Sequence, residues 1–459
     1  MGFFDVINMD ALLELLTAGL IEVSRFPRLL KALGCIPDYS RWQPGEPLRI
    51  LLVGYNGARN TGADARVEAM VRQFYQLFGQ KQIRLGVLTL DVEHSRNYYP
   101  PPTELIPLRT IFFSDIVKAC SRYHIAVLSE GSCFKSKFAN ALTAFFIAAA
   151  GVMASQGKPC VAYGSEAGKM DWLLKALVRR YGRKVYIISR SEPSMKVMEQ
   201  IGIKGALGTD TAWSFKPSPP KTADAILMRQ GWDGKKPLLG LAIIDPFCWP
   251  VRPNLLRFLR LKLTGKGKDR HYDKWYFFSD SSERRRLFNT YIDSIANAAD
   301  AFVKRHDVFP VIIGMERLDF APCRALQERM TAKAPIISSI AYNAYDITAI
   351  LHRLSILITS RYHARVLSMT AGVPSGAISM DERLENLLAE TGHLSDYYLK
   401  TDDPALGEKL PVLMEKLWTN RETVRRDLLK TIPLYLKKMD AMGEKFRQFL
   451  LANFQGLSL

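Results

Sequence analysis

The chain of 459 residues carries 63 Lys and Arg against 45 Asp and Glu, a formal net charge of +18, with 48% hydrophobic and 24% charged residues. That composition belongs to a folded, soluble protein with ample apolar residues for its cores, and the length exceeds what one core serves, so two domains are expected and extensive disorder is excluded. The cation excess calls for an acidic partner without choosing among nucleic acid, an anionic membrane face, an acidic polymer or a phosphorylated small molecule. Six scattered cysteines without a CxxC or a Cys/His cluster argue against a metal site or a disulfide framework and fit a reducing cytosol.

Residues 1–47 read as a helical extension. The first ten lack the basic start and small-residue cleavage site of a secretory signal, so export is not expected. Residues 10–34 form one or two amphipathic helices, in which Leu12, Leu13, Leu15, Leu16, Leu20, Ile21 and Val23 are broken by Glu14, Glu22 and Arg25. The acidic residues favour packing on the body of the protein over lying on a membrane. From 48 to 220, apolar strands at 50–54, 83–89, 125–129, 160–163 and 185–188 alternate with helices at 65–78, 138–155, 172–180 and 193–200. This alternation predicts a parallel sheet covered on both faces. The apolar run 138–155 is barely long enough to span a membrane and is interrupted by Asn140 and Thr143, so a buried crossover helix is expected there.

The Pro-rich stretch Lys216-Pro-Ser-Pro-Pro-Lys221 reads as an interdomain linker. A second α/β domain at 221–400 has strands at 238–244, 308–313, 356–359 and 376–378 and a helix at 287–303; residues 401–459 read as C-terminal helices broken at Pro433. The expected fold class is α/β, two Rossmann-like domains facing across a cleft, with helical extensions at both ends. A basic insert at 246–286 interrupts the second domain, with eleven Lys and Arg against four acidic residues and Trp249, Trp275, Tyr276, Phe277 and Phe278 interleaved. Such a loop suits an anionic membrane surface or an acidic polysaccharide, with nucleic acid the weaker partner. The plainer alternative is a solvated insertion whose aromatics tuck onto the domain.

The candidate chemistry lies at strand ends. Gly54-Tyr-Asn-Gly-Ala-Arg-Asn-Thr-Gly-Ala-Asp64 follows the first strand and opens a helix; Gly57 and Gly62 permit a tight turn close to a ligand, Asn60 can bridge backbone or substrate, and Asp64 either orients a ligand or caps the helix. Glu130-Gly131 and Glu166 end two further strands, where either carboxylate could serve as general acid or base. Arg190 closes another, as an anion clamp or as the partner of Glu192 or Asp210. At Ser360-Arg361-Tyr-His363-Ala-Arg365 a buried strand turns into a helix. Two fixed cations and a group that moves protons near neutral pH point to an anionic substrate. The alternative has Arg361 paired with a structural carboxylate and His363 as a satisfied core histidine.

Taken in order, these elements resemble the polysaccharide pyruvyl transferase family. They are Asn60-Thr-Gly62, Glu130-Gly131, Gly157-Lys-Pro159 through Tyr163-Gly164, Arg190-Ser-Glu192-Pro-Ser194 with Asp210, and Ser360-Arg361-Tyr-His363 closed by Gly372-Val-Pro374, and the likeness covers about residues 48 to 395. The chain departs from the family pattern where Ala63 separates Gly62 from Asp64, where Glu-Gly-Ser replaces a run of three glycines, and where Arg383 stands in place of a Lys. The resemblance implies a GT-B-like fold and transfer of a pyruvyl group from phosphoenolpyruvate to paired sugar hydroxyls as a ketal, in cell-surface polysaccharide synthesis. It implies His363, Arg361 and Asp64 as catalytic residues, and Gly57, Asn60, Gly62, Glu130, Gly131, Glu166, Arg190, Glu192, Ser194, Arg365 and Arg383 around the substrates. No metal or cofactor is called for beyond phosphoenolpyruvate as donor substrate. The expected partners are that anionic donor, a saccharide or lipid-linked saccharide acceptor and an anionic membrane surface, with the protein cytoplasmic or peripheral at the inner face. A nucleotide-sugar glycosyltransferase and a non-catalytic glycan-binding relative are the alternatives.

Overall fold

Runs of β-branched and apolar residues form two parallel sheets at the centre of the computed structural model, which describes residues 9–26, 31–32, 34, 40–99, 101–109, 111–268, 271–273 and 275–459. Expectations that fall on the first eight residues, Cys35, Pro37 and Arg270 lie outside the described residues. The first sheet runs β3 (Glu104–Pro107), β2 (Ile83–Thr89), β1 (Leu48–Asn56), β4 (Ile125–Leu128), β5 (Cys160–Ser165), β6 (Val185–Ser189), β7 (Gly205–Leu207). The second runs β13 (Ile336–Ser338), β12 (Phe309–Gly314), β8 (Leu238–Ala242), β14 (Ile356–Thr359), β15 (Ser375–Ser379), β16 (Tyr398–Lys400). Every pairing in both is parallel. Strand order reverses beside β1 in one sheet and beside β8 in the other, and the crevice outside the carboxyl ends at such a reversal is where open α/β sheets take ligands. Two Rossmann-like lobes thus turn their ligand-binding edges toward each other.

Helix Asn140–Ser155 is the crossover helix its sequence suggests, buried along most of its length between the first sheet and helix Met9–Val23. No described helix is long and apolar enough to cross a membrane. The insert folds as a small antiparallel sheet, β10 (His271–Asp273), β11 (Tyr276–Phe277) and β9 (Arg252–Pro253), with helix Leu255–Thr264 on the surface.

Three contacts among those that join the lobes show how they are held. Thr61 N–H donates to the Met315 carbonyl at 2.8 Å beside a bridge between Asn60 and Glu316. Ala344 N–H donates to the Tyr98 hydroxyl at 2.8 Å, and the Tyr98 ring stacks on Tyr345. Finally, helix Arg421–Asn453 returns from the second lobe to the first, where Phe446 meets Phe74 at 4.9 Å and Tyr163 at 5.5 Å, and Lys445 donates to the Leu207 carbonyl at 2.7 Å. The helical break falls at Asn420, between helices Leu406–Thr419 and Arg421–Asn453, and not at Pro433, which lies inside the second helix. Proline frees the carbonyl four residues earlier; that residue, Leu429, is exposed, so water can take up the lost bond.

Because Phe446 is fully buried where the returning helix meets the first lobe, Phe446→Ala is expected to cost about 3–5 kcal/mol of stability. Leu434→Ala on the exposed side of the same helix should stay within about 0.5 kcal/mol. Urea denaturation of the two variants checks this, and equal losses would mean that the helix is not anchored through its buried face.

Candidate active site

Local chemistry brings the two switch points together. After β1 the chain turns to Asn60, whose side-chain oxygen accepts from Gly62 N–H at 3.0 Å and Ala63 N–H at 3.1 Å, starting helix Thr61–Phe78. Gly62 lies against His363, where a β-carbon would overlap the imidazole ring. After β14 the Thr359 hydroxyl accepts from Arg361 N–H at 2.9 Å. Arg361, Tyr362 and His363 thereby open helix Tyr362–Met369 at the cleft.

Behind His363 sits a buried charge cluster. Asp210 Oδ2 accepts from Arg66 Nη1 at 2.9 Å and from Arg190 Nη1 at 2.6 Å, and stands 3.4 Å from His363 Nε2. Arg190 Nη2 donates to Glu166 at 2.5 Å, and Arg66 also donates to the Tyr163 and Gly164 carbonyls. Burial opposes ionisation of Asp210, but Arg66, His363 and Arg190 together hold its carboxyl well below the usual range. Burial pushes the His363 imidazole down to about 4 against the pull of Asp210, with Arg190 and Arg66 adding to the shift. His363 is therefore neutral at pH 7. Gly131 passes in front of the cluster; a β-carbon there would come within 2.7 Å of Arg190 and 2.9 Å of Arg66.

The cleft in front measures about 230 Å³. On one wall Arg361 is gripped by Asp319, with its Nε 2.9 Å from Oδ2, and by Glu316 at 3.0 Å. Burial alone would lower the Arg361 pKa, but these carboxylates raise it. On another, Arg383 holds Asp381 through its Nε at 2.6 Å and reaches Ser132 Oγ at 3.3 Å. Lys135, buried, bonds Glu382 at 3.2 Å and stands 3.9 Å from both Glu166 and Asp381. Glu130 differs: it is half-buried, accepts from Gly131 N–H at 3.2 Å, and has no salt bridge among the described residues. Burial pushes its carboxyl up, with Arg66 and Gly131 N–H pulling the other way. An apolar arm extends the cleft past Phe138, Leu142 and Phe145 to Trp249, Tyr272 and Tyr276 of the insert.

Of the residues singled out by sequence, Asn60, Gly62, Glu130, Gly131, Arg361, His363 and Arg383 line this cleft, with Arg190 and Glu166 paired behind it. Others lie elsewhere. Asp64 is buried against His94, 2.9 Å from its Nε2; Ala63 takes the cleft position, and the extra residue turns Asp64 about 100° round the helix. Gly57 packs on Thr89 and Asp91, Glu192 is exposed at a helix start, and Ser194 bonds the backbone of Ala167. Arg365 is buried, donating to Ser375 at 2.7 and 2.6 Å, and burial lowers its pKa to about 10. Sequence reasoning missed Arg66, Lys135, Tyr362, Asp319 and Asp381. The legible signals were an Arg on the apolar face of a helix and an Asp two residues before Arg383 at a strand end.

Two Rossmann-like lobes with paired switch points and a shared cleft define a GT-B-like protein. Solved structures agree in fold. A protein assigned as a UDP-N-acetylglucosamine 2-epimerase from Listeria monocytogenes superposes with TM-score 0.57 at 11% identity, over 90% of this chain and 99% of that one. The UDP-GlcNAc 2-epimerase of Neisseria meningitidis, bound to UDP-GlcNAc, gives 0.51 at 9% identity over 88% and 100%, and that of Methanocaldococcus jannaschii 0.50 at 12% over 81% and 92%. A search of curated proteins by sequence gives no match. The family model described as polysaccharide pyruvyl transferase matches residues 60–382, and the chain belongs to that family. It is a transferase of polysaccharide modification by membership.

Unfolding at low pH should report the His363 environment. An unfolded imidazole binds its proton near 6.5 and the folded one only near 4, so the unfolded state holds more protons between these values and stability falls as pH is lowered through that window. His124, pushed by burial to about 3, adds a slope of the same sign. Urea titrations at stepped pH should show His363→Gln flattening this loss by up to about 3 kcal/mol; an unchanged slope would place the imidazole in water.

Proposed function

We propose that the cleft transfers a pyruvyl group from phosphoenolpyruvate to two hydroxyls of a saccharide. The observation that carries this reading is a neutral His363 and a carboxyl of raised pKa, Glu130, lining one cleft within a chain of the pyruvyl transferase family. Protonated Glu130 gives its proton to the methylene carbon of the donor, turning C2 into an oxocarbenium-like centre. His363 takes the proton of the first attacking hydroxyl as its oxygen bonds C2, and returns it to the phosphate as the C2–O bond to phosphorus breaks. The second hydroxyl then closes the ketal on C2, and its proton restores Glu130. Two protons leave the hydroxyls and two are consumed, one by carbon and one by phosphate, so the cycle balances.

The donor anion is held less by free cations than by a competition, since Arg361 and Arg383 are already paired with carboxylates. Helix Tyr362–Met369 has no side-chain cap, which leaves its first N–H groups for a phosphate or carboxylate. A dianion beside His363 also raises the imidazole pKa toward the range in which it can carry a proton. Arg190 acts from behind, holding Asp210 and the face of Tyr362, whose ring lies 4.3 Å from its guanidinium.

The test is phosphate release from phosphoenolpyruvate in the presence of candidate saccharide acceptors. His363→Ala and Glu130→Gln are each expected to lower kcat by about 10²–10⁴-fold. Wild-type kcat should fall as pH rises through the elevated Glu130 pKa, because the protonated carboxyl is the active form, and Glu130→Gln should lose that limb. Undiminished release by His363→Ala would exclude the imidazole from the reaction. The epimerase relatives carry UDP-sugars by their names; a thermal shift with UDP and none with phosphoenolpyruvate would favour nucleotide-sugar chemistry on this fold.

A further inference from the structure

The geometry points to a membrane-docking face beside the cleft, built from two helices that present leucines to solvent and fitted to an anionic lipid bilayer. The first is helix Leu255–Thr264 of the insert. It is capped at its start, where the Asn254 side chain accepts from Arg257 N–H at 2.8 Å, and closed by left-handed Gly265, yet none of its residues is buried. At about 100° per residue, Leu255, Leu256, Leu259 and Leu263 share one side, and all four are exposed, Leu263 by 84%. Phe258 and Leu261, half-buried, form the opposite, protein-facing side. Arg260 and Lys262 flank the leucine ridge on its two edges, and residues 255–268 hold five cations and no acid.

The second helix, Met9–Val23, is apolar on both sides. Leu13, Ala18, Leu20 and Ile21 pack on the first-lobe core with Glu14 and Thr17 buried among them, while Leu12, Leu15 and Leu16 are left over on the outer side and exposed, Leu15 by 60%, where an amphipathic helix would carry polar residues. The acids that argued against a membrane role are tied up by polar partners. Glu14 accepts from Asn140 at 2.7 Å, and Glu22 is engaged by Arg180 at 2.9 Å and Tyr181 at 2.8 Å. Strand β9, which leads into helix 255–264, lies against this helix, so the two helices start from neighbouring positions on the surface. Asn140 also donates to Asp171, and the next residue, Trp172, is 79% exposed, the side chain favoured at a bilayer interface.

An apolar ridge edged by cations matches a phospholipid surface, where leucines enter the acyl boundary and Lys and Arg meet headgroup phosphates. Nucleic acid offers no sink for the leucines, and a second copy would set the cations of residues 255–268 against themselves. The same insert supplies Trp249, Tyr272 and Tyr276 to the apolar arm of the cleft, so docking brings that arm next to lipid. The inference stands independently of pyruvyl transfer.

Flotation of the full chain with vesicles tests it. The protein should rise with phosphatidylcholine–phosphatidylglycerol vesicles, bind phosphatidylcholine alone more weakly, and lose affinity as salt is raised. Leu259→Glu with Leu263→Glu, and separately Leu15→Glu with Leu16→Glu, should each weaken partitioning about tenfold or more, and Arg260→Gln with Lys262→Gln roughly tenfold on the anionic vesicles only. These side chains are exposed, and unchanged circular dichroism and melting confirm that the variants are folded. Failure of the wild type to float, leucine variants that float like wild type, or a wild-type dimer that the leucine changes dissociate without any vesicle binding would each overturn the proposal.

Discussion

A carboxylate out of reach of water, Asp210, lies between two guanidinium groups, Arg66 and Arg190, and the cleft is organised around it. Each charge alone would be costly to bury, and removing one partner of such a group typically costs about 3–5 kcal/mol. The members arrive from different elements: Arg66 from the first helix of the sheet, Arg190 from the end of β6, Asp210 from the turn after β7, and His363 from the second lobe. Arg66, Arg190 and Asp210 satisfy one another within the first lobe, and His363, 3.4 Å from Asp210 Oδ2, is where the second lobe meets them. The cluster also sets the state of His363, since two guanidinium groups and burial together outweigh one carboxylate.

The overall charge of +18 does not enter the cleft as a positive hole. Arg190, Arg361 and Arg383 are each tied to acids, and the lysine beside them is shared among three carboxylates. An anionic ligand in such a place would have to be selected by shape and by exchange of partners, because a simple excess of cations would admit any anion. The uncompensated basic charge lies instead on the surface of the insert, whose aromatics face inward.

The architecture was legible because both sheets are parallel and buried, which leaves short continuous apolar runs such as 125–128 and 356–359 that read as strands. The strand-end positions were legible for the same reason: once β1, β4 and β14 are placed, Asn60, Glu130 and His363 must converge. What escaped depends on helical phase and on partners distant in sequence. One inserted residue, Ala63, moves Asp64 out of the cleft, and the motif itself does not announce the rotation. Arg66 was missed because its partner Asp210 lies 144 positions on. In helix 9–23 the sequence does not show that Glu14 is buried against Asn140, which leaves Leu12, Leu15 and Leu16 as the outer side.

The main-chain bond from Thr61 to Met315 and the neighbouring bridge from Asn60 to Glu316 join the lobes at residues that line the cleft. A jaw-like separation of the lobes would have to tear this backbone seam, and the stack of Tyr98 on Tyr345 along with it. The side lined by Trp249 and Tyr272 is built from other residues than these. The enzyme is therefore built less as a clam than as a sleeve, stitched where its two switch points meet.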